Sequence, residues 1–176
     1  MQNKEYTATR WLEKYVEETF SQRIALTDSS FQPVWDFLFL WGLYEAIMMD
    51  NRCTVGRIWE NVGSLEPNSD VVNHFYDIIS NRYVDRNHQH TNANFNHLSF
   101  REEEEHHKEE VKKLLLSVNL PEGKKNQVCR MILWRYRNNL FHGKKELKSI
   151  WEQLDFFKEA NIYLQSGLEH KTGITL

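Results

Sequence analysis

Apolar residues recur at intervals of three and four along most of the chain, which is the spacing of an amphipathic α-helix. The pattern predicts a first helix over residues 6–22 and then a strongly apolar, central helix over 34–49, opened by Pro33. The chain is therefore expected to be all-α, a bundle of about six helices. Further helices are predicted near 55–61, 67–83, 98–118, 122–143 and from 147 onwards.

Composition narrows this picture to one domain. The 176 residues include 7 Gly and 3 Pro, and 13% are aromatic, so the chain has few helix breakers and much to bury. This length suffices for one core and is short for two, so we expect a single helical domain over residues 1–176, frayed from about residue 167. Four indoles on apolar positions are expected in the core: Trp35, Trp41, Trp134 and Trp151.

The two cysteines and the apolar runs bear on the protein's setting. Cys53 and Cys129 stand at no metal-binding or disulfide spacing, and residues 1–10 are polar without an apolar signal core. A reducing, cytoplasmic setting is therefore expected. The longest apolar run, 37–44, is too short to cross a bilayer, so no membrane association is predicted.

One heptapeptide, Arg137–Gly143 (RNNLFHG), contains an arginine and a histidine in a residue order that is a more specific signal than their spacing alone. Four glutamates follow Arg101, where they would repel a phosphodiester, and a tyrosine follows both Arg82 and Arg135. Arg137 alone is followed by a small polar residue, Asn138, and then by asparagine, two apolar residues, histidine and glycine. The five pairs with four to six intervening residues are Arg82 with His88, Arg101 with His106 and with His107, and Arg135 and Arg137 with His142.

This order resembles the signature of the HEPN superfamily, helical proteins in which an arginine, four to six residues and a histidine form a metal-independent ribonuclease site. The resemblance covers residues 137–145 and implies a single HEPN-like domain that forms a symmetric dimer around a composite cleft. It implies Arg137, Asn138 and His142 as catalytic residues, RNA as substrate, no cofactor and no metal. Products would carry a 2′,3′-cyclic phosphate.

Family members act as toxins of toxin-antitoxin pairs or as effectors of defence against phage. The resemblance therefore also implies an antitoxin or another regulatory partner protein. Family toxins that a nucleotidyltransferase antitoxin silences often carry a tyrosine two residues after the histidine. This chain has Lys144 there, which argues against inhibition through a modified tyrosine.

The residue types suit transphosphorylation of RNA. A neutral histidine can accept the proton of a ribose 2′-hydroxyl or give one to the departing 5′-oxygen, and arginine can stabilise charge on the non-bridging oxygens. Asn138 is expected to orient the phosphate or His142. One histidine supplies one acid or base, and a two-fold axis supplies the second. On a continuous helix Arg137 and His142 lie about 140° apart, so they converge only if the helix breaks near Gly143.

Positive charge is concentrated around the heptapeptide. The whole chain carries −3, whereas residues 122–148 hold eight lysines and arginines against two glutamates, a local net charge of +6. The alternative is that the lysines merely solvate the ends of two helices. The predicted substrate-binding residues are Lys144, Lys145, Arg130 and Asn139. A mixed stripe that suits a subunit interface is formed by Arg130, Trp134, Arg137 and Phe141.

The heptapeptide has a second interpretation as an ordinary capped helix end. His142 would then lie against the helix dipole, Asn139 would support the turn and Arg137 would pair with an acid. Glu45 is the other informative residue, because a carboxylate in the apolar run 38–49 needs a partner. Either it anchors Arg137 in the site, or it lies at the boundary and reaches water or another base.

The remaining histidines include the ligand types of a zinc site, yet no HExxH or CxxC pattern accompanies them. A solvated loop and a solvated helix face are the favoured interpretation. His74 is expected to pack within its helix bundle. The five histidines concerned are His88, His90, His97, His106 and His107.

Two classes of function follow. The first is a metal-independent endoribonuclease that acts as a toxin or an anti-phage effector. The second is a non-catalytic helical dimer that binds RNA, a nucleotide or a partner protein through its basic cleft. The presence of both Arg137 and His142 favours the first.

Overall fold

The computed structural model describes residues 28–61, 65–87, 89–141 and 147–174, and helices dominate within them. The all-α fold class is confirmed at this level, while the predicted helix over 6–22 lies outside the described residues. The helices are α1 (Asp28–Met48), α2 (Val55–Trp59), α3 (Ser69–Tyr83), α4 (Ala93–Asn96), α5 (Glu105–Leu115), α6 (Glu122–Phe141), α7 (Leu147–Trp151) and α8 (Leu154–Thr172). A 3₁₀ turn spans Glu102–Glu104, and strands β1 (Val84–Asp85) and β2 (His90–Thr91) pair antiparallel.

Helix α6 lies at the centre of the described structure. Every residue from Gln127 to Tyr136 is buried, and α2, α3 and α5 pack against this helix. A helix that is covered on all sides buries its polar positions together with its apolar ones, so each buried polar side chain needs a partner. The prediction that the helix over 34–49 is central is wrong, because α1 packs on α8 with one side and exposes the other.

Helix α1 begins at Asp28, so Pro33 lies inside it instead of opening it. The buried side of α1 meets α8 through aromatic contacts, with the rings of Phe37 and Phe157 5.3 Å apart. The Asn161 side-chain amide donates a 2.9 Å hydrogen bond to the Pro33 carbonyl and so links the two helices. This helix pair carries much of the aromatic core.

The opposite side of α1, which we call the outer face, exposes four large apolar side chains spaced four residues apart. Trp35 is 49% exposed, Phe39 69%, Leu43 36% and Ile47 44%. Core packing is therefore confirmed for Trp41 and Trp134, which are buried, and wrong for Trp35. The sequence pattern did not identify Trp35 as exposed because α1 is apolar on both sides. Periodicity therefore does not distinguish its packed side from its exposed side.

A buried ion pair attaches the segment 97–104 to α6. Arg135 lies 2.9 Å from Glu104, and the two side chains are 2% and 4% exposed. The same guanidinium donates from Nε to the Leu98 carbonyl at 3.0 Å and also binds the Ser99 carbonyl. Glu104 is thus buried, whereas its acidic neighbours are exposed. The run of glutamates therefore does not form a single solvated face.

The C-terminal helix is longer than predicted. Helix α8 continues to Thr172, with Gly167 and Leu168 buried, and Gly173 ends it in the left-handed conformation at φ 71°. The prediction of fraying from about residue 167 is wrong. Across the described ranges, none of the helices combines the length and the apolar composition needed to cross a membrane.

Removal of the Glu104 carboxylate should destabilise the fold strongly. Glu104→Ala leaves the Arg135 guanidinium buried without its anion, which typically costs about 3–5 kcal/mol of unfolding free energy. Chemical denaturation followed by circular dichroism measures this loss. Glu103→Ala is the matched control, since that side chain is exposed and should change stability by less than about 0.5 kcal/mol. Equal effects of the two substitutions would show that the buried pair is not a structural tie.

Candidate site at the end of helix α6

The predicted catalytic residues lie where α6 ends. Arg137 and Asn138 occupy its last turns, and the helix is described up to Phe141. His142, Lys144 and Lys145 lie outside the described residues. The convergence of Arg137 with His142 therefore stays a prediction, as does the helix break at Gly143.

Arg137 pairs with Glu45 across the interface between α6 and α1. The Nη2 atom of Arg137 lies 3.3 Å from Oε2 of Glu45, and the two side chains are 30% and 21% exposed. The Nη1 atom of Arg137 donates to Oδ1 of Asn138 at 3.0 Å, and Asn138 itself is buried. The pairing that an anchoring role for Glu45 requires is present, and the guanidinium is held from two sides at the protein surface.

Cys53 extends this cluster into the turn that follows α1. The pKa of the Cys53 thiol is raised to about 12, first by burial and then by the charge and hydrogen bonding of the neighbouring Glu45 carboxylate, while the Arg137 guanidinium acts in the opposite direction. The thiol is therefore protonated at neutral pH and is not a nucleophile there. Sequence inspection missed this residue, because its proximity to Glu45 depends on how the chain turns after Met48.

Arg130 and Asn139 do not take the substrate-binding role predicted for them. Arg130 is buried, donating from Nη2 to Oδ1 of Asn61 and from Nη1 to the Leu65 carbonyl at 3.5 Å. Asn139 is buried and donates to the Leu98 carbonyl at 3.0 Å. Both side chains satisfy backbone and side-chain groups inside the fold, so they are not available to an RNA strand.

The predicted interface stripe on α6 is wrong for the same reason. Arg130 and Trp134 are both buried within the chain, whereas Arg137 is partly exposed, and the side chain of Phe141 lies outside the description. The rival motif arginine, Arg135, is committed to Glu104. Of the two arginines at motif spacing from His142, Arg137 is therefore the one that reaches the surface.

Burial also reduces the basic patch. Of the eight cations between residues 122 and 148, Arg130 and Arg135 are buried, and Arg137 is paired with a carboxylate. Lys125 donates to Oδ1 of Asn73 at 2.7 Å and lies 5.6 Å from the Tyr76 ring centroid. The local charge of +6 thus overstates the positive surface that the described residues offer to a polyanion.

Two histidines, His107 and His74, differ from the predictions, whereas His90, His97 and His106 are exposed as expected. His107 is buried against Trp59, with ring centroids 5.4 Å apart, and burial lowers its pKa. His74, expected to pack, is exposed and lies 3.1 Å from Glu159. In the part of the chain that the structure describes, which omits His88, no three His, Cys, Asp or Glu side chains gather as a metal site requires.

Comparison with protein-family models, with curated proteins and with solved structures finds no match to this chain. The site therefore has to be interpreted from its own residues.

The reactivity of Cys53 reports on the Arg137–Glu45 pair. We expect slow alkylation by iodoacetamide at pH 8, because the raised thiol pKa leaves little thiolate. Glu45→Gln removes a charge that raises this pKa and should speed alkylation several-fold, whereas Arg137→Ala removes a charge that lowers it and should slow alkylation.

Intact-protein mass spectrometry measures both rates. Cys129 is the internal control, since it is buried with a raised pKa and should stay unmodified in every variant. Glu45→Gln alkylated no faster than the parent would contradict the assigned cluster.

Proposed function

We propose that this protein is a metal-independent endoribonuclease whose site combines Arg137, Asn138 and His142. The observation that supports it best is the fixed guanidinium of Arg137, held by Glu45 and Asn138 in the last turns of α6, five residues before His142. A partly exposed arginine with a defined orientation suits a phosphate better than a freely rotating one. The resemblance of RNNLFHG to the HEPN signature supplies the choice of RNA.

In the proposed reaction, His142 removes the proton from a ribose 2′-hydroxyl. The 2′-oxygen forms a bond to phosphorus while the bond from phosphorus to the 5′-oxygen breaks, and the departing oxygen takes a proton from the second histidine. Arg137 stabilises the negative charge on the non-bridging oxygens in the transition state. The products are a 2′,3′-cyclic phosphate and a 5′-hydroxyl. Each chain supplies one histidine in this motif, so the site is complete only in a dimer.

The outer face of α1 is the surface we assign to that dimer. It presents Trp35, Phe39, Leu43 and Ile47 in a continuous apolar stripe, of the kind that marks an interface in otherwise polar surfaces. Glu45 lies about 140° around the α1 axis from the middle of this stripe, on the side of α1 that contacts Arg137. Two copies packed along the outer face would form a seam from α1, the helix that also carries Glu45.

Cleavage of cellular RNA would arrest growth, so a toxin of a toxin-antitoxin pair or an anti-phage effector is the proposed biological role. Such an enzyme needs restraint, and an antitoxin or regulatory protein is the proposed partner. Lys144 stands where a modifiable tyrosine would be, so we propose inhibition by another route, such as occlusion of the site.

Substitution of the site residues should abolish RNA cleavage in excess chelator. We expect His142→Ala to lower the cleavage rate by about 10²–10⁴-fold, the usual contribution of a general acid or base. Arg137→Lys should lower it by about 10²-fold or more, because lysine keeps the charge but loses the planar fork. A labelled RNA substrate resolved by gel electrophoresis measures both rates.

Arg101→Ala and His106→Ala are the matched controls, since this exposed pair has the same spacing and lies outside the proposed site. Loss of cleavage in the controls, or parental rates in the Arg137 and His142 variants, would overturn the proposal. If the parent protein cuts no RNA, and the parent and its variants still bind RNA, the result would favour the non-catalytic helical dimer.

A charge placed on the outer face of α1 should separate the dimer. Phe39→Asp, at the most exposed of the four side chains, should convert a dimeric parent into a folded monomer. RNA cleavage should be lost together with the dimer. Light scattering after gel filtration gives the mass, and circular dichroism checks the fold. Val118→Asp is the control, at an exposed apolar residue elsewhere on the surface. A monomeric parent that Phe39→Asp destabilises would instead indicate that residues 6–22 cover this face.

A further inference from the structure

A second polar site lies beside Tyr136, the residue that precedes Arg137 on α6. A cavity of about 580 Å³ opens between the end of α3, the segment 94–99, α6 and the start of the C-terminal helices. Its volume falls within the range of about 300–1,000 Å³ that is usual for small-molecule sites. Among the described residues, its lining includes Arg82, Tyr83, His97, Tyr136, Glu152 and Gln153.

Arg82 distinguishes this cavity from an ordinary surface depression. The side chain is half-buried, its Nε is buried without a hydrogen-bond partner, and none of the described carboxylates lies within ion-pair distance. Arg130 also lacks a carboxylate among the described residues, but it is buried against the Asn61 and Leu65 oxygens, whereas Arg82 lines an open cavity. A partly buried cation that lacks an anion is costly unless a ligand supplies the missing charge.

Two tyrosines and a phenylalanine hold the Arg82 guanidinium at the cavity wall. The guanidinium carbon lies 5.9 Å from the Tyr83 ring centroid and 5.7 Å from that of Phe156. The Tyr83 hydroxyl donates to the Tyr136 hydroxyl at 3.0 Å, and both hydroxyls interact with the guanidinium. Burial raises the pKa of both tyrosines, so they remain neutral at physiological pH and do not neutralise the arginine.

The rest of the cavity lining is largely polar and includes one carboxylate. Glu152 and His97 are exposed at its mouth, and Asn94 and Ser149 add an amide and a hydroxyl. A ligand with one anionic end and one neutral, hydrogen-bonding end matches this distribution, because a second anionic group would meet Glu152. Ribose hydroxyls and a base edge are groups of that neutral kind.

We propose that this cavity binds a nucleotide, with Arg82 holding the phosphate and the sugar and base lying towards Glu152 and His97. The nucleotide is either a free mononucleotide or one unit of an RNA strand, since the recognised chemistry is the same. The proposal does not depend on ribonuclease activity, because the cavity shares none of the proposed catalytic residues.

Calorimetric titration of the full chain, in the His142→Ala background so that RNA stays intact, tests this directly. The probes are AMP, inorganic phosphate, adenosine and a five-nucleotide RNA lacking terminal phosphates. We expect AMP to bind more tightly than phosphate or adenosine. Arg82→Gln should weaken that binding at least about tenfold through the loss of charge-assisted hydrogen bonds. Arg86→Gln is the control, since Arg86 is exposed in the adjoining turn and should leave the affinity within about twofold.

Binding of AMP that depends on Arg82 assigns the site to a free nucleotide, and binding of the RNA alone with the same dependence assigns it to a strand. Affinity for adenosine equal to that for AMP, equal loss in the Arg86 variant, or no binding of any probe would overturn the proposal. If Arg82→Gln fails to fold, Arg82→Lys and Glu152→Gln replace it. Arg82→Lys should weaken AMP binding, whereas Glu152→Gln should leave the phosphate contact unaffected. Unchanged AMP affinity in Arg82→Lys would count against the site.

Discussion

The arrangement of this protein depends on one constraint, the need to give polar partners to three arginines on a helix that is buried along most of its length. Arg130 donates to Asn61 and to the Leu65 carbonyl, Arg135 pairs with Glu104, and Arg137 pairs with Glu45. Each partner belongs to a different segment. A buried charge is expensive to leave without polar partners, so these contacts fix how α1, Asn61, Leu65 and the 97–104 segment lie around α6.

The same constraint explains which arginine can act on a ligand. Arg130 and Arg135 are enclosed by their partners, while Arg137 sits where α6 emerges from the core and is 30% exposed. Its glutamate comes from α1, the helix whose outer face is apolar and exposed. A second copy on that face would therefore contact α1, the helix whose Glu45 orients Arg137. Arg82 lines the cavity beside Tyr136 of α6, and the described residues supply no carboxylate to pair with it.

Sequence patterns predicted the helices and ranked Arg137 above its rivals, because local order and periodicity are properties of neighbouring residues. They offered Glu45 as the partner of Arg137 only as one of two alternatives, since the two residues are far apart in the chain and meet only through the packing of α1 on the core. The partners of Arg130 and Arg135 were not predicted. Trp35 was misplaced because α1 is apolar on both sides. Arg82 was set aside because a tyrosine follows it, and that tyrosine is part of the cavity wall.

In the proposed reaction Arg137 and His142 act together on RNA without a metal. Mass spectrometry of the RNA ends released by the purified protein in excess chelator tests this most directly, because the ends record which oxygen attacked phosphorus. We expect fragments that end in a 2′,3′-cyclic phosphate and begin with a 5′-hydroxyl. Fragments with 3′-hydroxyl and 5′-phosphate ends, or cleavage that disappears when metal is removed, would contradict it.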